Sequence, residues 1–475
     1  MKKIILFAAL LSVSATGFTQ TNTATPAKTA KPPASAGLLN DWLRKQFPEL
    51  KPWDFGGQAR LRYDSKENGG VTTANDFVRA LSNDNDYIQS RLRLHAGYTP
   101  KKWLKFFAQA QHAETGGDAR QNRPEDNEID LYQGWVEIGP FEGAPLRLKL
   151  GRQELVYGDE RFAGKGDWTT GRSFDAARLK FEHAAVSVDA FVGRVVLQRD
   201  KHFDVANDYD VFSGIYVSTK KLCPLQETDF FFFARNVGVD SPNALAPRLG
   251  GPTSRDVYTV GSRMKSLPDK IGAWDYSAEF AAQFGNGTSG GVQRTLEAWM
   301  LDVTAGRTWK KAWGSPRVGV GYTFGSGDGN PTDGKQETFE LLFGTNHRLY
   351  GQADFVGLRN MHSPSVNFSL KPHKLMTVRA EWLLFWLADG NDFFYPESAA
   401  GRAANGYGRN PQFNKFVGSE LDFIVNYAAT KWLNVQAGFG HFFVGDYIKQ
   451  SVNSVPANGG AVDGNWFYLQ GVMNF

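Results

Sequence analysis

The sequence predicts an all-β protein: a transmembrane antiparallel up-and-down β-barrel of about eighteen strands around a water-filled lumen. Three observations lead there. From Trp53 onward, segments of about ten residues alternate in polarity with a period of two. Aromatic residues collect at the ends of those segments, among them Trp53, Tyr63, Tyr98, Trp103, Trp309, Trp313, Tyr322, Trp432, Tyr447 and Trp466. The connections alternate between short and long, as periplasmic turns and outer loops do in such barrels. Composition agrees: 51 Gly, 36 Phe, 16 Tyr and 13 Trp stand beside a charged fraction of 21%. A mean hydropathy of -0.39 leaves no room for a bundle of apolar helices, each of which needs about 20 continuous apolar residues.

The chain opens with Met1-Lys2-Lys3, an apolar run from Ile4 to Val13, and the small residues Ser14, Ala15 and Gly17. That order is a secretory signal, expected over 1–20, and it directs the protein to the bacterial outer membrane with cleavage of the signal. Residues 21–52 follow as a periplasmic spacer, whose first part, Thr21 to Gly37, is Thr, Ala, Pro and Lys without the large apolar residues of a core. Within it, Asp41 to Phe47 predicts a short helix capped by Asp41, placed either in the periplasm or in the barrel mouth. The barrel is expected over 53–475. Cys223 is the only cysteine, so no intramolecular disulfide forms, and closure of the backbone on itself must supply the stability.

Strand by strand, the pattern is consistent. Phe55, Ala59, Leu61 and Tyr63 oppose Gln58, Arg60 and Arg62. Ile88, Leu92, Leu94 and Ala96 oppose Gln89, Arg91, Arg93 and His95. Val186 to Val192, Met376 to Leu384 and Leu421 to Tyr427 repeat the arrangement. A soluble sandwich also alternates, but formal charges at mid-strand and the aromatic girdle favour a lipid-spanning wall. Eighteen runs begin near 54, 87, 102, 128, 146, 174, 185, 211, 227, 256, 272, 294, 315, 361, 374, 416, 431 and 465. The last ends at Phe475, a terminal aromatic of the kind that engages barrel insertion machinery.

The block Leu148 to Leu179, LKLGRQELVYGDERFAGKGDWTTGRSFDAARL, resembles the signature of the alginate export family of outer-membrane porins. Further similarity lies in Gly325-Ser326-Gly327-Asp328, Thr338-Phe339, the FGTNHRLYG stretch from Phe343 to Gly351, Glu420-Leu421-Asp422 and Gly438 to Gly445. The resemblance implies a monomeric eighteen-stranded barrel in outer-membrane lipid that passes an anionic polysaccharide through a narrow arginine-lined constriction.

Parity assigns Arg60, Arg62, Arg91, Arg93, Arg147, Lys149, Arg178, Lys180 and Arg379 to the lumen, with Glu137, Asp189, Glu381, Glu420 and Asp422 on the same face. Guanidinium groups in a wet lumen keep their charge and pair bidentately with carboxylates, although many serve only as cross-strand lining. We expect Arg91, Arg93, Arg152, Arg172, Arg178 and Arg379 to form a selectivity ring, with Asp159, Glu160 and Asp175 as its acidic partners. Arg152 is a conflict: alternation from Leu148 and Leu150 points it to lipid, whereas the resemblance points it to the pore. The loop Gly325 to Gly334 carries Asp328, Asn330 and Asp333, oxygen ligands suited to calcium, without the spacing of an EF-hand.

The function expected is passive, charge-selective passage of an anionic polysaccharide or acidic oligosaccharide. The alternative is a general, small-anion or sugar-acid uptake porin, and a barrel enzyme is a remote third. No HExxH pair, G-x-S-x-G elbow or Walker lysine is present. A net charge of +4 is too small for a nucleic-acid partner.

Overall fold

A computed structural model describes residues 37–475 except 122, 124, 142, 239–253, 290–291, 346 and 398–400. The signal expected over 1–20, and the spacer before residue 37, lie outside the described residues. Nineteen strands are described, and eighteen of them form the wall. They begin with β1 (Trp53–Glu67), β2 (Asn85–Lys101), β3 (Leu104–Gly116), β4 (Asn127–Ile138), β5 (Leu146–Gln153) and β6 (Phe174–His183). Next come β7 (Val186–Leu197), β8 (Val205–Thr219), β9 (Gln226–Val237), β10 (Arg255–Ser266), β11 (Trp274–Ser289), β12 (Val292–Thr308) and β13 (Arg317–Gly325). The two-residue β14 (Lys335–Gln336) lies inside a long connection and pairs in parallel with β12. The wall then continues with β15 (Met361–His373), β16 (Met376–Leu387), β17 (Phe416–Ala428), β18 (Leu433–Val444) and β19 (Gly464–Asn474).

Every wall strand pairs antiparallel with its neighbours, and β1 joins β19 to close the barrel, with Arg60 opposite both Arg91 and Val472. Closure leaves no open edge, so backbone donors and acceptors are satisfied within the sheet in a medium that offers none. The side-chain parity follows the sequence. Leu61, Leu94, Val192, Phe232 and Trp382 face outward and are exposed, whereas Arg60, Arg62, Arg91 and Arg93 face inward and are buried.

Most strands begin within two residues of their expected starts. β8 is the main departure, starting at Val205 and not near 211. A register shift between Arg194 and Val196 lets pairing resume at Val196 with Ala206, and this shortens the outer loop expected there. The N-terminal helix α1 spans Leu38–Gln46, so Asp41 lies in its first turn and does not cap it. Asn40 holds α1 at the short-turn rim: its Nδ2 donates to Asp54 Oδ1 (2.5 Å) and its Oδ1 accepts from the Phe55 N–H (2.7 Å).

Part of the lumen is dry. The inward side chains of β6 to β9, Phe174, Phe191, Phe212, Phe231 and Phe233, are buried against Phe162, Phe339 and Phe343 from two long connections. These connections, residues 154–173 and 326–360, fold back into the barrel and complete an apolar core. Aromatic pairs such as Phe212 with Phe343 (4.9 Å, 61°) and Phe174 with Phe343 (5.3 Å, 89°) pack edge to face, the favoured geometry for ring quadrupoles. The run Phe230 to Phe233 is split by the pleat, with Phe230 and Phe232 facing lipid and Phe231 and Phe233 in the core.

Candidate functional site

The polar side of the lumen is organised by the segment 154–173, which crosses it as a strap. One end is tied to β10, β11 and β12. Arg263 Nε donates to Asp159 Oδ2 (3.0 Å) and Lys265 Nζ to Asp159 Oδ1 (2.7 Å). Arg161 pairs with Glu279 (2.9 Å) and Asp302 (2.9 Å) and donates to Tyr350 Oη (2.8 Å). The other end is tied to an arginine ladder on β1 and β2. Arg60 donates to the Asp167 and Thr169 carbonyls (both 2.6 Å), and Arg91 donates to the Thr169 carbonyl (2.9 Å) and Asp167 Oδ1 (3.0 Å). Arg93 reaches Asp167 Oδ1 (2.8 Å) and the Thr170 carbonyl (2.7 Å), and Arg62 the Trp168 carbonyl (2.5 Å).

Strap geometry depends on a close approach at Gly171. Its φ is +88°, and a Cβ there would lie 2.4 Å from Tyr132 Oη and 2.6 Å from Arg93 Nη2. Glycine alone lets the Thr170 carbonyl reach Arg93. Burial would push the Asp167 carboxyl up, but the guanidiniums of Arg91 and Arg93, with Lys165, hold it well below the usual carboxylate range. Asp159 is likewise lowered, since Arg263 and Lys265 outweigh its burial.

The connection between β13 and β15 locks onto the strap through a parallel bridge between Ala163 and Phe343. The Thr345 N–H donates to the Glu160 carbonyl (2.7 Å), and Arg172 caps the junction by donating to the carbonyls of Phe343 and Gly344. Glu420 Oε1 on β17 accepts from the Gln352 and Ala353 N–H groups (2.7 and 2.9 Å), so the segment is also pinned to the wall.

Two cavities in the lumen meet at the strap. One, of about 570 Å³, opens toward the long loops and is lined by residues including Lys66, Arg120, Trp168, His347 and Asp354. The other, of about 380 Å³, lies toward the short turns between the strap and the wall of β1, β16, β18 and β19. Lys165, Arg348, Arg379, Gln436 and Gln470 are among its lining residues. Trp168, Thr345 and His347 border both cavities and so form the partition between them.

The expected ring residues are not gathered at one level. Arg91 and Arg93 hold the strap, Arg172 holds the junction, and Arg178 is paired with Asp189 beneath Tyr157 (Arg178 Nε to Asp189 Oδ1, 2.8 Å). Glu160 Oε2 accepts from the Lys165 N–H (3.2 Å), within the strap. Arg152 and Asp175 require a correction. They are register partners on the outward parity of β5 and β6, shared with Leu150 and Leu179, and they pair with each other at 2.8 Å. The short segment between β7 and β8 covers Arg152 from outside, through the Asp204 carbonyl (3.1 Å) and the Phe203 ring (5.6 Å). Arg152 is thus shielded from lipid without entering the pore.

Of that set, only Arg379 faces the inner cavity with a side chain that makes no hydrogen bond or ion pair to another described residue, and the side chain of Arg348 in the infolded connection shares this condition. Sequence reasoning missed Arg348, Asp167, Trp168 and His347, because alternation carries no information about loops that turn inward. Arg263 and Arg235 do lie at inward strand positions and were readable from parity. In the outer loop, Asp328 Oδ1, Asn330 Oδ1 and Asp333 Oδ1 each accept a backbone N–H two residues on. Among the described residues, no group of three His, Cys, Asp or Glu side chains is arranged to hold a metal ion.

Comparisons with known proteins follow the same lines. Residues 51–461 match the family model described as alginate export. Among solved structures, OccK2 (OpdF) of Pseudomonas aeruginosa in complex with glucuronate superposes with a TM-score of 0.55 at 12% identity, over 89% of this chain and 98% of that one. OpdK of the same organism with vanillate gives 0.54 at 11%, over 89% and 98%, and OccAB4 of Acinetobacter baumannii gives 0.54 at 11% with the same coverage. No curated protein is similar to the chain by sequence. At such identities the solved structures establish the fold alone, that of an outer-membrane barrel. The family is described by a transport role, export. With the matched region running from the start of the wall into its last connection, the chain belongs to the alginate export family of outer-membrane porins.

Proposed function

We propose that this outer-membrane barrel passes an anionic polysaccharide or acidic oligosaccharide by passive, charge-selective diffusion. Charge selection rests on the guanidiniums not committed to the strap. The observation that carries this reading is the pair Arg348 and Arg379, both bordering the cavity of about 380 Å³ and neither side chain ion-paired to another described residue. A guanidinium that has already spent its donors on carbonyls offers little to a solute, whereas an uncommitted one can meet a carboxylate bidentately. Lys165 adds a third positive charge, and the amides of Gln58, Gln436 and Gln470 offer partners for hydroxyl groups.

The volume of the cavity, about 380 Å³, supports small acidic saccharides and sugar acids as solutes with the strap docked, with a polymer requiring displacement of the infolded segments. Two proteins of similar fold were crystallised with carboxylates, glucuronate and vanillate, which is consistent with this chemistry. Export by a cleaved signal, a monomeric state and assembly by the barrel insertion machinery belong to the same proposal.

The test is electrical. Purified barrel in a planar bilayer under a salt gradient should give a reversal potential of anion selectivity, and an acidic oligosaccharide should block the current. Cation selectivity, or a current indifferent to the acidic oligosaccharide, would overturn the reading.

A further inference from the structure

The partition between the two cavities is an aromatic sandwich. The imidazole of His347 lies on one face of the Trp168 indole, with centroids 3.9 Å apart and planes 14° from parallel. The Arg62 guanidinium lies over the indole at 3.8 Å from the ring centroid. Tyr468 closes one edge at 4.9 Å and 88°. These neighbours are not equally fixed. Arg62 is fully buried, ion-paired to Asp64 (2.5 Å) and bonded to the Trp168 carbonyl. His347 is held on its own connection by hydrogen bonding of its Nδ1 to the Asp354 carboxylate (3.0 Å). It sits beside Arg348 (φ +70°), whose side chain is exposed in the inner cavity.

We propose that Trp168 is a binding platform for the pyranose ring of an acidic saccharide, and that His347 covers it while the lumen is empty of solute. This rests on the acidic-saccharide reading above and assigns a specific site to it. The axial C–H face of a pyranose carries partial positive charge and meets the electron-rich face of an indole as a flat aromatic or cationic ring does. A solute ring that reaches the partition displaces His347, stacks in its place, and presents its carboxylate to the neighbouring Arg348. The passage therefore opens at the one contact that a solute can replace with an equivalent one. The strap itself stays tied to β1 and β2.

The experiment uses the full barrel in planar bilayers with glucuronate, which has a pyranose ring, and gluconate, an open-chain acid of the same charge. Half-blocking concentrations are read alongside the salt-gradient reversal potential. Wild type should be blocked by glucuronate at about tenfold lower concentration than by gluconate, a modest stacking contribution. Trp168→Leu should lose that preference while keeping anion selectivity, and Trp168→Phe should keep part of it. His347→Ala should tighten glucuronate block several-fold, because the competing ring is gone. Equal block by both acids in wild type, or an unchanged preference in Trp168→Leu, would overturn the platform while leaving anion selectivity standing. An unchanged or weakened block in His347→Ala would overturn the covering role. Loss of anion selectivity in wild type would instead overturn the reading on which the platform rests.

Discussion

Replacing Asp167 by Asn removes the one carboxylate that two ladder arginines share. Its Oδ1 accepts from Arg91 at 3.0 Å and Arg93 at 2.8 Å, and the side-chain exposures are 28% for Asp167 against 1% and 7% for its partners. Breaking a fully buried pair costs about 3–5 kcal/mol, because a charge is left uncompensated. Two features reduce that figure here. Asp167 is partly solvated, and both guanidiniums keep carbonyl acceptors at Thr169 and Thr170. The loss is then that of one charge-assisted contact, about 2 kcal/mol, or a shift of roughly 30-fold in the docking equilibrium of the strap. Single-channel recording reads this directly. Asp167→Asn should raise the occupancy of a larger-conductance state by roughly that factor, since undocking joins the two cavities. The reasoning fails if state occupancies are unchanged while the reversal potential moves further toward anions. That result would mean that Arg91 and Arg93 act on the solute and do not hold the strap.

Three other outcomes follow from the same contacts. The depressed Asp167 carboxyl contributes docking stability above the unfolded value of about 3.9 and loses it only as pH falls through the lower folded value. State occupancies should therefore stay constant from neutral pH down to about pH 4 as far as this group is concerned; a transition near pH 5 to 6 that disappears in Asp167→Asn would contradict the assignment. Arg152→Ala should leave the reversal potential unchanged and cost about 1 kcal/mol in urea unfolding from lipid vesicles, as its partner Asp175 is 41% exposed and the pair lies outside the pore; a loss of anion selectivity would place it in the pore after all. Gly151→Ala should lower the yield of folded barrel on heat-modifiable gels, costing on the order of 1–3 kcal/mol. The cause is a φ of +119° and a Cβ that would lie 2.3 Å from the Gly134 carbonyl oxygen, and wild-type stability in that variant would refute it.

The wall was legible in the sequence because a barrel strand has two solvents and a period of two. Arg60, Arg62, Arg91 and Arg93 lie on the polar face that parity assigned, and even Arg152 obeys strict alternation. The resemblance that implied a pore-facing Arg152 gave way to the register, and the shielding that makes an outward arginine tolerable comes from Phe203 and Asp204 of a different connection. Parity does not reach segments that fold inward. Nothing in the spacing of Asp159, Arg161, Asp167 and Trp168 reveals that they cross the lumen, since each partner stands on a distant strand, as Arg263 does for Asp159. Parity also identifies which arginines face inward but not which are already bonded. Arg91 and Arg379 look alike in sequence, yet one holds the strap and the other faces a cavity.

Charge selection therefore turns on the difference between committed and uncommitted arginines. The most direct measurement is the salt-gradient reversal potential of the double variant Arg348→Gln/Arg379→Gln, compared with wild type in the same bilayers. Anion selectivity should fall sharply while single-channel conductance states and folding persist, because neither side chain supports the strap. Full anion selectivity in the double variant would contradict it and return the selective charge to the ladder on β1 and β2.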